Sequence, residues 1–272
     1  ENAAGAVLWL FAAAVSTAVP AGILWLAYRV NRFLGIGLES LMCWQILATK
    51  SLRDESMKVY RALLEGDPAK YRYAVSMIVG RDTAQLSDRA VARAAVETVA
   101  ENTSDGIIAP MLFLAVGGAP LGFFYKAVNT MDSMLGYVEM PYKNIGLVPA
   151  KLDDVFNYIP ARLSALLMLA AGALEGLDVR NGYRIWRRDR RNHASPNSAQ
   201  TEAAMAGALG IQLAGPAWYF GEKYDKPTIG DAKRPVEPND ILRADRLLYG
   251  GGVLGLVLLG LVRWAVLRWG GI

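Results

Sequence analysis

The sequence predicts an all-α fold: a polytopic helical membrane protein with broken or re-entrant helices and a cytoplasmic region of amphipathic helices. Two observations lead to this prediction. Hydrophobic residues make up 53% of the chain and charged residues only 20%, which is fewer charges than a typical soluble domain carries. The charges also concentrate between long apolar runs. We therefore assign residues 1–272 to a single membrane-embedded domain, in which residues 39–101 form a water-exposed helical insertion.

Four apolar runs supply the predicted membrane segments. Residues 3–28 form the first, which at about 1.5 Å per residue is long enough to cross a hydrocarbon core of about 30 Å. Residues 107–124 are interrupted by proline and by the pair Gly117-Gly118, which favours a broken or re-entrant helix. Further runs follow at residues 163–174 and 247–267. We predict three to five membrane segments.

Basic residues indicate the orientation of these segments. Arg29 and Arg32 follow the first run, and six arginines lie within residues 180–191. Clusters of this kind mark cytoplasmic loops, although the second cluster could also bind phosphate. The formal net charge is +4, but no nucleic-acid-binding motif accompanies it, so we expect no nucleic-acid partner.

Cysteine and histidine counts restrict the chemistry. Cys43 and His193 are the single residues of their kinds, which excludes an internal disulfide, a cysteine-based metal site and a histidine-rich one. A metal would therefore be a hard cation held by oxygen, and Mg²⁺ is the first candidate. The chain begins at Glu1 without an initiator methionine, and we expect further sequence to precede it.

The charged region 39–101 carries apolar residues at helical intervals, which predicts two or three amphipathic helices. Residues 65–68 read as a turn between them. Further along, Arg81 and Asp82 stand in a Gly-Arg-Asp-Thr sequence that is either the N-terminal cap of a helix or a ligand site.

The strongest candidate site lies at residues 97–110. Glu97, Glu101 and Asp105 are four residues apart, so a continuous helix would place all three on one face. Three like charges on one face need compensation from water, a distant basic residue or a bound cation. We expect a break at Gly106, where the acidic end meets the apolar run. The alternative is a solvated acidic face.

A second acid lies in apolar sequence downstream. Asn129 and Asp132 share a helical face with Gly136, and an acid with an amide inside an apolar helix indicates a functional site. The alternative is that Asp132 pairs with Lys126 or Lys143.

Adjacent carboxylates follow at Asp153 and Asp154, ahead of Asn157 and Arg162. One of the two acids could cap a helix N-terminus, which leaves the other residues without a role. A turn containing His193 and Asn197 then introduces Glu202 and a helix of small residues predicted at 203–217, with a polar link after it.

No P-loop, GxSxG or HExxH motif is present, and no serine or cysteine has a convincing base nearby in the sequence. The candidate sites are instead rich in acids and amides, with arginines close by. That mixture suits Mg²⁺ and a nucleotide phosphate better than acyl hydrolysis.

Four motifs together resemble the adenosylcobinamide-phosphate synthases of cobalamin biosynthesis. They are E-x-x-x-E-N-x-x-D-G-x-x-A-P at 97–110, N-T-M-D-S-M-x-G-Y at 129–137, D-D-x-x-N-x-x-P-A-R-L at 153–163, and S-P-N-S at 195–198 with Glu202 following. The resemblance extends from about Arg81 to the end of the chain.

The resemblance implies a multi-pass enzyme of the bacterial inner membrane with its active site facing the cytoplasm. Its partners would be a corrinoid, adenosylcobyric acid, and an aminopropanol phosphate or related amino alcohol, joined through an amide bond with ATP and Mg²⁺. The carboxyl group would be activated as an acyl phosphate. A homo-oligomer is possible.

The resemblance also assigns candidate site residues, in which carboxylates hold metal and nucleotide, arginines offset phosphate charge, and one uncoordinated carboxylate accepts the amine proton. The catalytic set is Glu97, Glu101, Asn102, Asp105, Asp132, Asp153 and Asp154. The metal set is Glu101, Asp105, Asp132, Asp153 and Asp154. The cofactor-binding set is Arg81, Asp82, Asn129, Asn157, Arg162, His193, Asn197 and Glu202. We predict that the six acids from Glu97 to Asp154 named in the catalytic set converge on one cavity.

Two other classes of protein remain as alternatives. Broken helices and intramembrane acids are also typical of ion-coupled transporters, but the sequence shows no inverted repeat. A membrane sensor or scaffold without chemistry leaves the acid clusters unexplained.

Overall fold

The computed structural model describes residues 2–136 and 144–269, without the side chains of residues 266 and 267. In this part of the chain, α-helices alternate with one π-helical turn and a few short strands. The α-helices are α1 (Asn2–Val30), α2 (Arg32–Ile46), α3 (Thr49–Glu65), α4 (Pro68–Ser76), α5 (Asp88–Thr103), α6 (Ala109–Leu135), α7 (Leu147–Phe156), α8 (Tyr158–Leu174), α9 (Val179–Asp189), α10 (Ser198–Leu209) and α11 (Asn239–Trp269). The strands are β1 (Leu213–Ala214), β2 (Ala217–Tyr219), β3 (Glu222–Tyr224) and β4 (Thr228–Ile229), and the π-helical turn is Ser104–Ile108.

The chain divides into two compact units. The first combines Glu1–Ala48, Ile107–Pro160 and Leu256–Ile272, and the second combines Thr49–Gly106 and Ala161–Gly255. Both units are therefore assembled from separate stretches of sequence.

In the first unit, α1 packs against α2, α6 and α7. Trp9 of α1 lies in its core with Val128 and Met131 of α6. The Trp9 ring stacks on Phe156 of α7 at a centroid distance of 6.2 Å and meets Phe124 edge-on at 6.0 Å. These aromatic contacts hold α6 and α7 together at the position where both carry candidate site residues.

Helix α6 is broken, as its sequence predicts. Gly118 has φ of +65° and ψ of −162°, a backbone conformation that is accessible essentially to glycine alone. The break frees helical carbonyl groups, and Arg263 Nη1 donates hydrogen bonds to two of them, Ala115 O at 3.2 Å and Val116 O at 3.1 Å. Irregular backbone at membrane depth requires such partners.

The expected break at Gly106 is different in kind. The helical path continues through the π-helical turn Ser104–Ile108 into α6, instead of ending. A π-helical turn inserts one additional residue per turn and shifts the faces of the helix that follows. Asp105 lies in this turn, so it does not continue the regular spacing of Glu97 and Glu101 on α5.

In the second unit, α10 is the central element. All twelve of its residues are buried, and it packs against α5, α9, β1 and β4. It ends at Gly210, which has a left-handed conformation with φ of +66°. The prediction of a helix to residue 217 is wrong in its second half, because this cap turns the chain into β1.

Strands replace much of the predicted polar link. β1 pairs with β4 and β2 pairs with β3, both antiparallel. The arginine-rich stretch is likewise a helix, α9, rather than a loop. Arg184 and Arg188 of α9 form ion pairs with Asp231 at 2.5 and 2.7 Å, so two of the six arginines serve to attach the segment after β4.

Two helix caps that the sequence left open as alternatives are not formed in the structure. Ser87 caps α5, and its Oγ accepts from Ala90 N at 3.3 Å; Asp82 instead accepts from Gly221 N at 2.8 Å. Asp153 and Asp154 lie inside α7, whose N-terminal cap position is Gly146. The turn before α4 is as predicted, since Asp67 caps that helix through Ala69 N at 2.9 Å.

Three helical stretches are long and apolar enough to cross a membrane: Asn2–Val30, Asp88–Leu135 and Asn239–Ala265. The pair α7 and α8, bent by 48°, would make a fourth. This number agrees with the predicted three to five segments, and the chain is a helical membrane protein.

Candidate active site

The second unit contains a cavity of about 250 Å³ that several predicted residues line. We call it the Glu202 cavity, after the acid that α10 contributes. Helix α5 contributes Glu97, Glu101 and Asn102, and the loop ahead of α5 contributes Arg81. The remaining polar lining residues are His193, Tyr219, Lys226 and Thr98.

Glu97 is the anchored acid of this cavity. Its Oε2 atom accepts from Arg81 Nη2 at 2.5 Å, and its Oε1 atom accepts from Ala214 N at 2.6 Å. Ala214 has φ of +56°, an uncommon conformation for a residue with a side chain. Both oxygens of Glu97 are therefore used to fix the wall of the cavity.

Glu202 differs from Glu97 in lacking this compensation. It is 5% exposed, and within the described residues its Oε2 atom has no hydrogen-bond partner. Burial raises the pKa of Glu202 well above its usual range, and the charges of Glu97 and Glu101 raise it further. Glu101 is partly satisfied, because its Oε1 atom accepts from Ser198 Oγ at 2.9 Å. A buried carboxyl group with one oxygen left without a donor is the chemically unusual group of this site.

His193 and Lys226 complete the ionisable lining. His193 Nδ1 accepts from Ser195 N at 3.1 Å, and burial lowers the pKa of His193, which favours the neutral imidazole. Lys226 Nζ lies 2.6 Å from the hydroxyl of Tyr219 and 4.3 Å from the centre of its ring. The lysine is thus held by an aromatic partner rather than by an acid.

Three further predicted residues of this unit lie outside the lining. Asp82 is exposed and holds the β2–β3 hairpin, which carries Tyr219, through Gly221 N. Arg162 of α8 donates from Nη1 to Asn197 Oδ1 at 3.2 Å, directly before α10 begins. These residues position elements that line the cavity.

A separate group of predicted residues comes together in the first unit. We call Asn129, Asp132, Asp153 and Asn157 the Asp153 cluster. Asp153 Oδ2 accepts from Asn157 Nδ2 at 2.9 Å, while Asn157 Oδ1 accepts from Tyr125 Oη at 2.7 Å. Asn129 and Asp132 of α6 lie close enough to interact electrostatically with the Asp153 carboxylate, and so does the neighbouring Asp154.

Within residues 2–136 and 144–269, the other oxygen of Asp153, Oδ1, has no hydrogen-bond partner, although the residue is only 7% exposed. Gly136 lies against Asp132, since a Cβ atom added at Gly136 would overlap Asp132 Oδ1. Lys143, one of the two alternative partners of Asp132, and Tyr137, the last residue of the motif, lie outside the described residues.

The donor set of the Asp153 cluster suits Mg²⁺, which proteins commonly bind through one or two carboxylates while water and substrate phosphates supply the other ligands. A complete protein-made site is not formed, because the described residues contain no group of three or more histidine, cysteine, aspartate or glutamate side chains placed to hold a metal. The predicted convergence of all six acids on one cavity involves residues of both units and stays a prediction.

Five polar residues of these two groups or their hydrogen-bond partners were not predicted from the sequence: Thr98, Ser198, Tyr219, Lys226 and Tyr125. Ser198 was within reach, because it ends the S-P-N-S motif four residues before Glu202. Tyr219 and Lys226 belong to short strands and the loop between them, where no periodic pattern marks a buried position.

The fold and the site define a class: a helical membrane protein with a small cavity of mixed charge and, in addition, a pair of acids bordered by amides. The family model described as CobD/Cbib protein matches residues 1–248. The chain belongs to the CobD/CbiB family, and the resemblance drawn from the four motifs is confirmed.

Curated relatives agree with this assignment. The chain is 49% identical over 260 residues to the cobalamin biosynthesis protein CobD of Clostridium perfringens, covering 96% of this chain and 82% of that protein. It is 51% identical over 254 residues to the cobalamin biosynthesis protein CbiB of Salmonella arizonae, covering 93% and 80%. No solved structure matches the chain. These relatives support a role in cobalamin biosynthesis.

Proposed function

We propose that this chain is an amide ligase that joins adenosylcobyric acid to an aminopropanol phosphate, or a related amino alcohol phosphate, and consumes ATP. The product would be adenosylcobinamide phosphate. The observation that carries the proposal is the buried Glu202 carboxyl group, whose Oε2 atom has no partner within the described residues, in a cavity that Arg81 and Lys226 also line. Amide formation needs a proton acceptor beside groups that neutralise phosphate.

The chemistry proceeds in two balanced steps. A carboxylate oxygen of the corrinoid acid attacks the γ-phosphorus of ATP, and ADP leaves. The amine nitrogen then attacks the carbonyl carbon of the acyl phosphate, the bond from carbon to the phosphate oxygen breaks, and inorganic phosphate leaves. Mg²⁺ bound at Asp132 and Asp153 would offset the charge of the phosphates.

The residues of this chain supply orientation and the proton acceptor. We assign the proton released by the attacking amine to Glu202 Oε2, because this atom is buried and has no partner within the described residues. A raised pKa suits that task, since a base is most effective when its pKa is near the working pH. Arg81 is held by Glu97 and so presents its remaining N–H donors in a fixed plane.

The experiment uses the full chain in detergent with ATP, Mg²⁺, adenosylcobyric acid labelled with ¹⁸O in its carboxyl group, and aminopropanol phosphate. We expect the amide product by mass spectrometry and one ¹⁸O atom in the inorganic phosphate. If the ¹⁸O label appeared in AMP instead, the intermediate would be an acyl adenylate and not an acyl phosphate. No product, together with solute transport by the protein in liposomes, would overturn the ligase in favour of an ion-coupled carrier.

A further inference from the structure

The size of the Glu202 cavity restricts its ligand. Its volume is about 250 Å³, below the range of about 300–1,000 Å³ of pockets that enclose drug-sized molecules. The volume of a corrinoid is far larger than that of this cavity, and the volume of a nucleoside triphosphate also exceeds it. Among the substrates of the proposed reaction, the small amine is the one whose dimensions fit.

The unpartnered acid indicates which group this ligand brings. Both oxygens of Glu97 are engaged, and Ser198 already donates to Glu101. Glu202 Oε2 is the buried oxygen of the cavity that lacks a donor within the described residues. An ammonium group has three N–H donors, and a charge-assisted bond to a buried carboxylate is among the stronger hydrogen bonds in proteins.

The basic residues of the lining indicate a second group. Among the described residues, two residues with a permanently charged basic side chain line the cavity, Arg81 and Lys226. Both are only partly buried. Glu97 engages one nitrogen of Arg81, and Tyr219 engages Lys226. An anionic group such as a phosphate ester would find both cations here.

We propose that the Glu202 cavity is the binding site of the amine donor, a small compound with a primary ammonium group and an anionic group. The ammonium group binds at Glu202, and the anionic group binds at Arg81 and Lys226. The assignment rests on the proposed function for the role of this ligand as the attacking amine, but not for the recognition of its charges.

The test measures binding without ATP and without corrinoid, by calorimetry on the full chain in phosphatidylcholine nanodiscs. The probes are O-phosphoethanolamine, ethanolamine and inorganic phosphate. We expect O-phosphoethanolamine to bind at least about tenfold more tightly than either fragment, because each of its charged groups adds charge-assisted hydrogen bonds.

Two variants separate the two charges. Glu202→Gln should weaken O-phosphoethanolamine and ethanolamine about tenfold or more and leave phosphate unchanged, whereas Lys226→Met should weaken O-phosphoethanolamine and phosphate and leave ethanolamine unchanged. The control is Glu65→Gln, because Glu65 is an exposed acid paired with Lys70 at 2.6 Å, and we expect it to bind all three probes normally.

The proposal is overturned if phosphate binds as well as O-phosphoethanolamine, or if Glu202→Gln leaves the affinity for both amines unchanged. A phosphatidylethanolamine headgroup carries the same two charges. Loss of probe binding in nanodiscs that contain this lipid would assign the cavity to lipid and also overturn the proposal. Failure of the proposed ligase activity would give a different result. The probes would still bind in the expected pattern, but ATP, adenosylcobyric acid and the amine would yield no amide.

Discussion

The Asp153 cluster and the Glu202 cavity are both acidic sites inside helical structure, but their partners differ. Asp153 is bordered by amides, Asn157 and Asn129, and forms no ion pair with a basic residue in the part of the chain that the structure describes. Glu97 in the Glu202 cavity has an arginine at 2.5 Å, and a lysine lines the same space.

This difference indicates different functions for the two groups of acids. Amides orient a carboxylate without neutralising it, so the Asp153 cluster keeps its negative charge available for a cation. The Glu202 cavity contains both signs of charge, which suits a ligand that also carries both. We therefore interpret the first as the metal site and the second as the site of the amine.

The largest effect is expected at the Asp153 cluster. Asp153→Asn keeps the volume and removes the charge, so ligation should fall about 10³-fold or more, and the affinity for Mn²⁺ should fall at least tenfold. Electron paramagnetic resonance of Mn²⁺ measures the second quantity directly.

The matched control is Asp67→Asn, because asparagine caps a helix as well as aspartate does and α4 should keep its cap. If Asp153→Asn bound Mn²⁺ with normal affinity, the assignment of the metal to the Asp153 cluster would be contradicted.

The ion pair of the Glu202 cavity predicts a loss of stability. Arg81→Met leaves Glu97, which is 4% exposed, buried without its partner, and breaking a buried pair in this way costs about 3–5 kcal/mol. The double variant Arg81→Met with Glu97→Gln should recover most of that free energy of unfolding. Additive losses in the double variant, measured by denaturation in detergent, would show that the pair is not coupled.

The proton acceptor predicts a particular pH dependence. Glu202 must be ionised to accept a proton, so ligation should rise with pH through its raised pKa, above the ordinary value of about 4.3 for glutamate. Glu202→Gln should lower the rate about 10²-fold and remove that limb of the profile. An unchanged acid limb in this variant would assign the proton to another group.

The raised pKa of Glu202 also predicts how the free energy of unfolding depends on pH. Because the pKa is higher in the folded than in the unfolded state, protonation of Glu202 stabilises the fold. This contribution is fully present below the unfolded pKa and is lost as pH rises through the folded pKa. Glu202→Gln should therefore raise Tm by several degrees at neutral pH and by much less at pH 4. A variant less stable than the parent at neutral pH would contradict this.

The smallest effect is expected at Gly136. A methyl group there would overlap Asp132 Oδ1 and must move the carboxylate. Gly136→Ala should weaken Mn²⁺ binding and ligation about tenfold, the lower end for displaced groups around a metal, and leave O-phosphoethanolamine binding unchanged. Gly37→Ala is the control, because a Cβ atom there meets nothing within 4 Å.

Predictions from the sequence were most successful where they rest on the periodicity of apolar residues. The membrane helices, the break at Gly117-Gly118 and the turn at residues 65–68 follow from apolar length and local backbone chemistry. The end of α10 was predicted wrongly, because the helix stops at Gly210, where the chain turns into β1. The role of Asp82 stayed open in the sequence, because its partner is the backbone of the β2–β3 hairpin.

The acids of the Glu202 cavity and of the Asp153 cluster could be predicted from the sequence, but the partners of those acids could not. The motif carried Glu97 and Glu101 together, and the π-helical turn that removes Asp105 from their series leaves no signature in residue spacing. Lys226 lies in a loop after a three-residue strand, a context in which a single lysine is ordinarily solvated.

One measurement tests the central claim directly: the binding of Mn²⁺ and of O-phosphoethanolamine to both Asp153→Asn and Glu202→Gln, each without ATP or corrinoid. We expect Asp153→Asn to lose Mn²⁺ binding and keep O-phosphoethanolamine binding, and Glu202→Gln to show the reverse. If either substitution abolished both, or if Glu202→Gln lost Mn²⁺ alone, the separation of the metal site from the amine site would be contradicted.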